Sequence, residues 1–237
     1  MTIYNLLAGE RQHMATETPY FRRLADSFRS LPARGVLALA SGFLLQLSMG
    51  SMFTFGNLTT YLTSYLHVRG GQDVSYGQTV WVGTALGIAE GLTLLPGSVL
   101  YQRRGPRVVV LLGSVVASGA IALTSLTVDT SLAWVTMTYG VANGLGVGLV
   151  YGVPLLVGYK WFPNSKGLVS GVVVGGYGLG GILFTTIQTG FLNPDNVSPE
   201  EDGFFHDAAL LDRVPKVFLL QAGVCAVLQL VRLEARA

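Results

Sequence analysis

Charged residues are scarce in this sequence. Asp, Glu, Lys and Arg make up 12% of its 237 residues, and hydrophobic residues make up 50%, whereas a soluble domain typically has about 25% charged residues. The formal net charge is only +2, which is too small for a nucleic-acid-binding surface. The one cysteine, Cys225, cannot form an intrachain disulfide. Residues 1–34 also lack the apolar run of roughly 7–15 residues that marks a cleavable signal peptide.

Motifs of catalysis and metal binding are also absent. The three histidines, His13, His67 and His206, are not spaced as metal ligands. The glycine-rich run at 175–181 lies inside an apolar stretch, whereas a dinucleotide site needs such a run directly after a strand. We therefore expect a protein that is not an enzyme and that needs neither a cofactor nor a metal.

Long apolar stretches, by contrast, recur along the chain. Crossing a hydrocarbon core of about 30 Å takes a helix of about 20 residues, and six stretches meet that requirement. They are residues 35–58, 79–100, 108–126, 132–159, 168–192 and 214–231. Their solid hydrophobicity is unlike the alternating pattern of membrane β-barrel strands. The sequence therefore predicts an all-α membrane protein with a cytoplasmic tail (1–34), a six-helix transmembrane bundle (35–231) and a short end (232–237).

Positive charges alternate between the segments that connect these stretches. All but three of the 15 Lys and Arg residues lie before the first stretch, after the second, after the fourth or after the sixth. The three on the opposite side are Arg69, Arg213 and Lys216. Because cytoplasmic loops are enriched in Lys and Arg, we predict that both termini are cytoplasmic. The last outer segment, 193–213, is acidic and is predicted to be a solvated loop, with cation or partner binding as the alternative.

Glycine is abundant and is spaced four residues apart in two of the stretches. The glycines concerned are Gly140, Gly144, Gly148 and Gly152 in the fourth stretch and Gly171 and Gly175 in the fifth. Residues four apart share a helix face, and a face of small residues lets helices approach closely in lipid. We predict that these glycines pack helices together. The alternative is that they also let the helices slide or rock.

One acidic residue, Glu90, lies deep in an apolar stretch. Eleven residues at 1.5 Å each place it about 16 Å from the outer end of the second span, near the midplane. A charged acid there costs about 2.5–3.5 kcal/mol on insertion scales. We predict a proton-coupling site, with a neutral acid bonded to a backbone carbonyl as the alternative. Phe53, Asn57 and Tyr151 are predicted to line the substrate pathway with it, and packing is the alternative for each.

The segment between the second and third stretches, LPGSVLYQRRGPRVVV, resembles a loop motif of the major facilitator superfamily, Gly-x-Leu-x-Asp-Arg-x-Gly-Arg-Arg. Arg103, Gly105 and Arg107 match the motif. The chain departs from it at Ser98, Gln102 and Pro106. The resemblance implies a conformational loop, whose basic residues would meet helix ends or the phosphates of membrane lipids.

A second resemblance narrows the family. Residues 146–184 look like the oxalate/formate antiporter and monocarboxylate transporter-like group, and residues 50–61 are similar to the first helix of that group. This likeness covers residues 35–231. It implies the amino-terminal six-helix half of a twelve-helix carrier, in which two halves rock around a central cavity. The chain would then be a fragment or a split half.

The function implied by the resemblance is secondary active transport of a small organic anion such as a monocarboxylate. Its partner would be a second six-helix half or a homologous chain. In the relatives the principal cationic anion-binding residues lie in the second half, which agrees with the lack of a deep Lys or Arg here. The alternative is a non-transporting, truncated membrane protein that pairs with or regulates full-length relatives.

Overall fold

The computed structural model describes residues 33–230, and the regular elements in that range are all helices. Four of these helices are long and apolar enough to cross a membrane. They are Ala33–Arg69, Tyr76–Thr127, Leu132–Trp161 and Lys166–Leu192. The predicted all-α architecture is confirmed for this part of the chain. The predicted tail lies outside the described residues except for its last two positions, which begin the first helix.

The first long helix combines several segments. Helix α1 (Ala33–Met49) continues through a tight 3-10 segment (Gly50–Thr54) into α2 (Phe55–Ser64) and a π-helical turn (Tyr65–Arg69). It therefore extends beyond the predicted end at residue 58. The added residues are rich in Thr and Ser, whose hydroxyls donate to carbonyls one turn earlier in the same helix. Because their polar groups are satisfied locally, these residues do not end the helix.

The next element, α3 (Tyr76–Thr127), is 52 residues long and has a sharp break inside it. Ser75 begins it with a reciprocal capping box to Gln78. At Gly105 the backbone adopts φ 78° and ψ 172°, a conformation that residues with a Cβ rarely adopt. The break divides α3 into a first arm, residues 76–104, and a second arm, residues 106–127. The predicted spans 79–100 and 108–126 fall one in each arm.

The remaining helices follow in order. Helix α4 (Leu132–Val135) continues through a π-helical segment (Thr136–Ala142) into α5 (Asn143–Trp161). Three further helices complete the described chain: α6 (Lys166–Leu192), α7 (Ala208–Leu211) and α8 (Val214–Leu230). Helix α8 has 17 residues, which is close to the lower limit for a membrane span.

The connecting segments predicted to face outward meet at one end of the bundle. Arg69, at the end of the first long helix, forms a 2.5 Å ion pair with Asp212. The ring of Phe204, in the acidic loop, stacks on His67 at 4.2 Å and on Tyr76 at 5.7 Å between centroids. The acidic loop is therefore anchored to the bundle by aromatic contacts.

The segments predicted to face inward meet at the opposite end. Lys160, in the last turn of α5, lies 5.1 Å from the centroid of the Tyr101 ring near the end of the first arm of α3. The two groups of connections thus occupy different ends of the bundle, as expected for a chain whose successive helices run in opposite directions. Which end is cytoplasmic stays a prediction.

Candidate functional site

Three glycines of the fourth predicted stretch bring α5 and the π-helical segment before it directly against the first arm of α3. A Cβ built on Gly148 would lie 2.2 Å from the backbone oxygen of Glu90. On Gly144 it would lie 2.4 Å from the backbone oxygen of Leu86. On Gly140 it would lie 2.9 Å from the backbone oxygen of Val82. No side chain fits at these distances. The glycines therefore fix the position of Glu90 relative to α5. Gly152 continues the series at an ordinary contact distance of 3.6 Å.

The glycine contacts of α6 differ from the predicted ones. Gly171 and Gly175, predicted as packing residues, would have no atom within 4 Å of an added Cβ. The close approach occurs instead at Gly176 and Gly180, where a Cβ would lie 2.7 Å and 2.3 Å from backbone oxygens of α1. Two parallel glycine stripes run along α6, and the period of four cannot tell which one faces a neighbour. The Gly171 stripe lies open in this bundle.

Glu90 has a specific partner from α6. The hydroxyl of Tyr177 donates a hydrogen bond of 2.9 Å to Oε1 of Glu90. Tyr177 is buried and Glu90 is half-buried. The close crossings of α5 on α3 and of α6 on α1 hold the two residues at this distance. Tyr177 was not predicted from the sequence, where it is a single aromatic residue within the glycine-rich run at 175–181.

Aromatic rings surround Tyr177. Phe53 and Tyr151 form T-shaped contacts with it, with ring centroids 4.8 Å and 5.1 Å away. The sulfur of Met52 lies next to the Tyr177 hydroxyl, and Gln46 donates a 3.1 Å hydrogen bond to the backbone oxygen of Tyr151. The structure thus gathers three of the predicted pathway residues, Glu90, Phe53 and Tyr151, around Tyr177. We call these four residues and Met52 the Tyr177 cluster.

No protein-family model matches the chain, but individual relatives do. Apicoplast pyruvate carrier 1 of Toxoplasma gondii is 30% identical over 240 residues, which cover 82% of this chain and 44% of the carrier. The oxalate:formate antiporter of Oxalobacter formigenes is 32% identical over 103 residues, 43% of this chain and 23% of the antiporter. An uncharacterized MFS-type transporter of Escherichia coli is 27% identical over 156 residues, 66% of this chain and 37% of that protein.

The chain is a relative of major facilitator superfamily transporters. The resemblance predicted from the sequence is therefore confirmed. Its apolar helices and these transporter relatives together identify an integral membrane protein related to proteins that carry carboxylates. The chain spans less than half the length of each of these three relatives.

The loop motif of the superfamily falls at the break in α3. Gly105 provides the positive φ that separates the two arms, and Pro106 follows at the first position of the second arm, where a missing backbone N–H costs no helical hydrogen bond. Arg103 and Arg107 flank the break and are exposed. The glycine of the motif thus has a backbone role that is visible in the structure, and the two arginines lie at the same end of the bundle as Lys160.

Asn57, the fourth predicted pathway residue, lies in a separate buried network of amides and hydroxyls. Its Nδ2 donates to Oε1 of Gln188 at 3.4 Å. Nε2 of Gln188 donates to Thr54 at 2.8 Å and to Gln221 at 3.0 Å. Gln221 in turn donates to the Tyr139 hydroxyl at 3.1 Å. The network joins α6 and α8 to the first and third long helices, so the contacts of Asn57 are those of the packing alternative.

Gln188 is the centre of this network, so its loss is expected to destabilise the bundle. Gln188→Leu would leave Oε1 of the buried Gln221 without its donor and would remove one of the hydrogen bonds of Thr54, at a cost of about 1–3 kcal/mol. The measurement is the thermal midpoint in detergent. Thr186→Val is the matched control, because Thr186 lies on the exposed face of α6 and bonds only within its own helix. Equal midpoints for the two variants would contradict the structural role of the network.

Proposed function

We propose that the chain belongs to a secondary active transporter of a small organic anion such as a monocarboxylate. The observation that carries the proposal is the similarity to a pyruvate carrier along 82% of the chain. The oxalate:formate antiporter supports the same substrate class, because its named substrates are also small carboxylates. The Tyr177 cluster also supports the proposal, because it places a hydroxyl donor and a proton-binding carboxyl within the helices.

We further propose a six-span unit with both termini in the cytoplasm, acting as half of a twelve-helix alternating-access carrier. The break at Gly105 and the separate helix α8 support the span count. The partner would be a second six-helix half or a homologous chain. The open stripe of Gly171 and Gly175 on α6 supports a further helix packing there.

Glu90 is the proposed proton-coupling residue. It is the one acidic residue within the helices of the described chain. An acid kept in the hydrocarbon region has an energetic cost, which favours a functional role. Its hydrogen-bond partner is the uncharged hydroxyl of Tyr177 and not a cation. This partner therefore does not keep Glu90 ionised as a salt bridge would.

Uptake of pyruvate tests the proposed function. The intact gene product would be reconstituted into proteoliposomes and supplied with radiolabelled pyruvate, with protein-free liposomes as the control. We expect saturable uptake that formate and lactate inhibit. Absence of uptake above the control would contradict the proposal. If the chain then changed the uptake by a co-reconstituted full-length relative, the regulatory alternative would replace it.

Cysteine labelling tests the proposed topology. On a Cys225→Ser background, Arg104→Cys is expected to react only with membrane-permeant reagents. His67→Cys and Glu200→Cys are expected to react also with an impermeant reagent applied outside intact cells. Cys225 is buried, so its replacement removes a thiol without opening a labelled position. Modification of position 104 from outside would contradict the cytoplasmic assignment.

A further inference from the structure

The hydroxyl of Tyr177 has one proton and two neighbouring acceptors. It lies 2.9 Å from Oε1 of Glu90 and also contacts the sulfur of Met52. A hydroxyl can donate only one hydrogen bond at a time, and a thioether sulfur is a weak acceptor. An ionised carboxylate is a strong acceptor. The Tyr177 proton is therefore held by Glu90 when Glu90 is ionised. When Glu90 is neutral it is a weaker acceptor, and the hydroxyl can turn to a stronger one.

Within this hydrogen bond the acceptor, Glu90, is more exposed than the donor, Tyr177. Glu90 is half-buried and Phe53 is 57% exposed, whereas Tyr177 is 6% exposed. The titratable groups of the cluster besides Glu90 are Tyr177 from α6 and Tyr151 from α5. The residues contributed by the 3-10 segment, Met52 and Phe53, do not titrate. Protonation of Glu90 is thus the event that changes the charge of the cluster.

We propose that the Tyr177 hydroxyl is the hydrogen-bond donor for the carboxylate of the transported anion and that Glu90 competes with the anion for it. This inference rests on the proposed function. Ionised Glu90 occupies the donor and repels an anion. When Glu90 takes up a proton from water, it no longer repels the anion, and the Tyr177 hydroxyl turns to the substrate carboxylate. Anion and proton then load together without a lysine or arginine in the cluster.

Tyr177→Phe isolates the hydroxyl, because it keeps the ring that Phe53 and Tyr151 contact. The experiment measures the KM for pyruvate uptake by the intact gene product from acidic to alkaline pH. We expect the wild-type KM to rise with pH. The variant should have a KM at least about tenfold higher than wild type at acidic pH, since a hydrogen bond to a charged group contributes about 1.5–3 kcal/mol. At alkaline pH the two KM values should converge, because Glu90 already occupies the donor in the wild type.

Tyr159→Phe is the control, since it removes a tyrosine hydroxyl that contacts Ser170 outside the cluster. Its KM relative to wild type should not change with pH. Glu90→Gln provides a second test that does not depend on the folding of Tyr177→Phe. Its KM should be independent of pH and, at alkaline pH, below that of wild type.

Two results would overturn competition for the hydroxyl while leaving transport intact. One is a Tyr177→Phe defect of the same factor at every pH, which would indicate a structural role only. The other is a Glu90→Gln protein that keeps the wild-type pH dependence of KM. Absence of pyruvate uptake by the wild type would instead overturn the proposed function, and this inference with it.

Discussion

Glu90→Gln is expected to abolish pyruvate accumulation driven by a pH gradient while leaving exchange of pyruvate across the membrane. Glutamine keeps the size of the side chain, and its oxygen can still accept the hydrogen bond from Tyr177. It cannot bind and release a proton. The measurement is uptake into proteoliposomes with and without an imposed pH gradient, compared with exchange into vesicles preloaded with pyruvate.

Other outcomes of this experiment separate the remaining roles of Glu90. If the residue is structural, Glu90→Gln should transport like wild type, while Glu90→Leu should lower the folded yield because the Tyr177 hydroxyl loses its carboxylate acceptor. If Glu90 pairs with an arginine of a second half, Glu90→Gln should weaken assembly with that half. Unchanged gradient dependence in Glu90→Gln would exclude the proton-coupling role.

Gly148→Ala should strongly destabilise the bundle. The added Cβ would lie 2.2 Å from the backbone oxygen of Glu90 and 2.2 Å from Oγ1 of Thr93. The two helices would have to separate by about 1 Å, and overpacking of this kind typically costs about 1–3 kcal/mol. We expect the thermal midpoint in detergent to fall by about 5–10 °C, and transport to fall with it because Glu90 is displaced.

Gly119→Ala is the matched control for this prediction. Gly119 lies in the second arm of α3, and a Cβ there would have no atom within 4 Å. Alanine is the better helix former by about 1 kcal/mol in water, so the midpoint should stay the same or rise slightly. A Gly148→Ala protein as stable as Gly119→Ala would contradict the close helix crossing.

The positions of most helices could be predicted because a membrane span needs a long run of apolar residues, which is visible in the sequence. The predicted stretch 168–192 and the structural helix Lys166–Leu192 differ by only two residues at the start. The end of the first helix could not be predicted, since Thr and Ser read as polar in sequence but bond within their own helix in the structure. The break at Gly105 lies in the segment whose loop motif was recognised, although its backbone conformation is visible only in three dimensions.

The site could be predicted only in part because its residues come from different helices. Glu90 stood out through the cost of an acid in lipid, and aromatic residues near it were reasonable neighbours. The partner of Glu90 depends on how α6 is rotated, and the two glycine stripes on α6 allow more than one rotation. The stripe through Gly176 and Gly180 packs on α1 and places Tyr177 beside Glu90. A rotation that packed Gly171 and Gly175 on α1 would have directed a different residue there.

The most direct test of proton-coupled transport is whether the entry of pyruvate moves protons. Vesicles containing the intact gene product and a trapped pH indicator would receive an inward pyruvate gradient at equal pH on both sides, with protein-free vesicles as the control. We expect that the interior acidifies as pyruvate enters, faster than in the control, and that acidification of Glu90→Gln vesicles does not exceed the control. If pyruvate entered with the wild-type protein without acidification, or did not enter at all, Glu90-dependent proton coupling would be wrong.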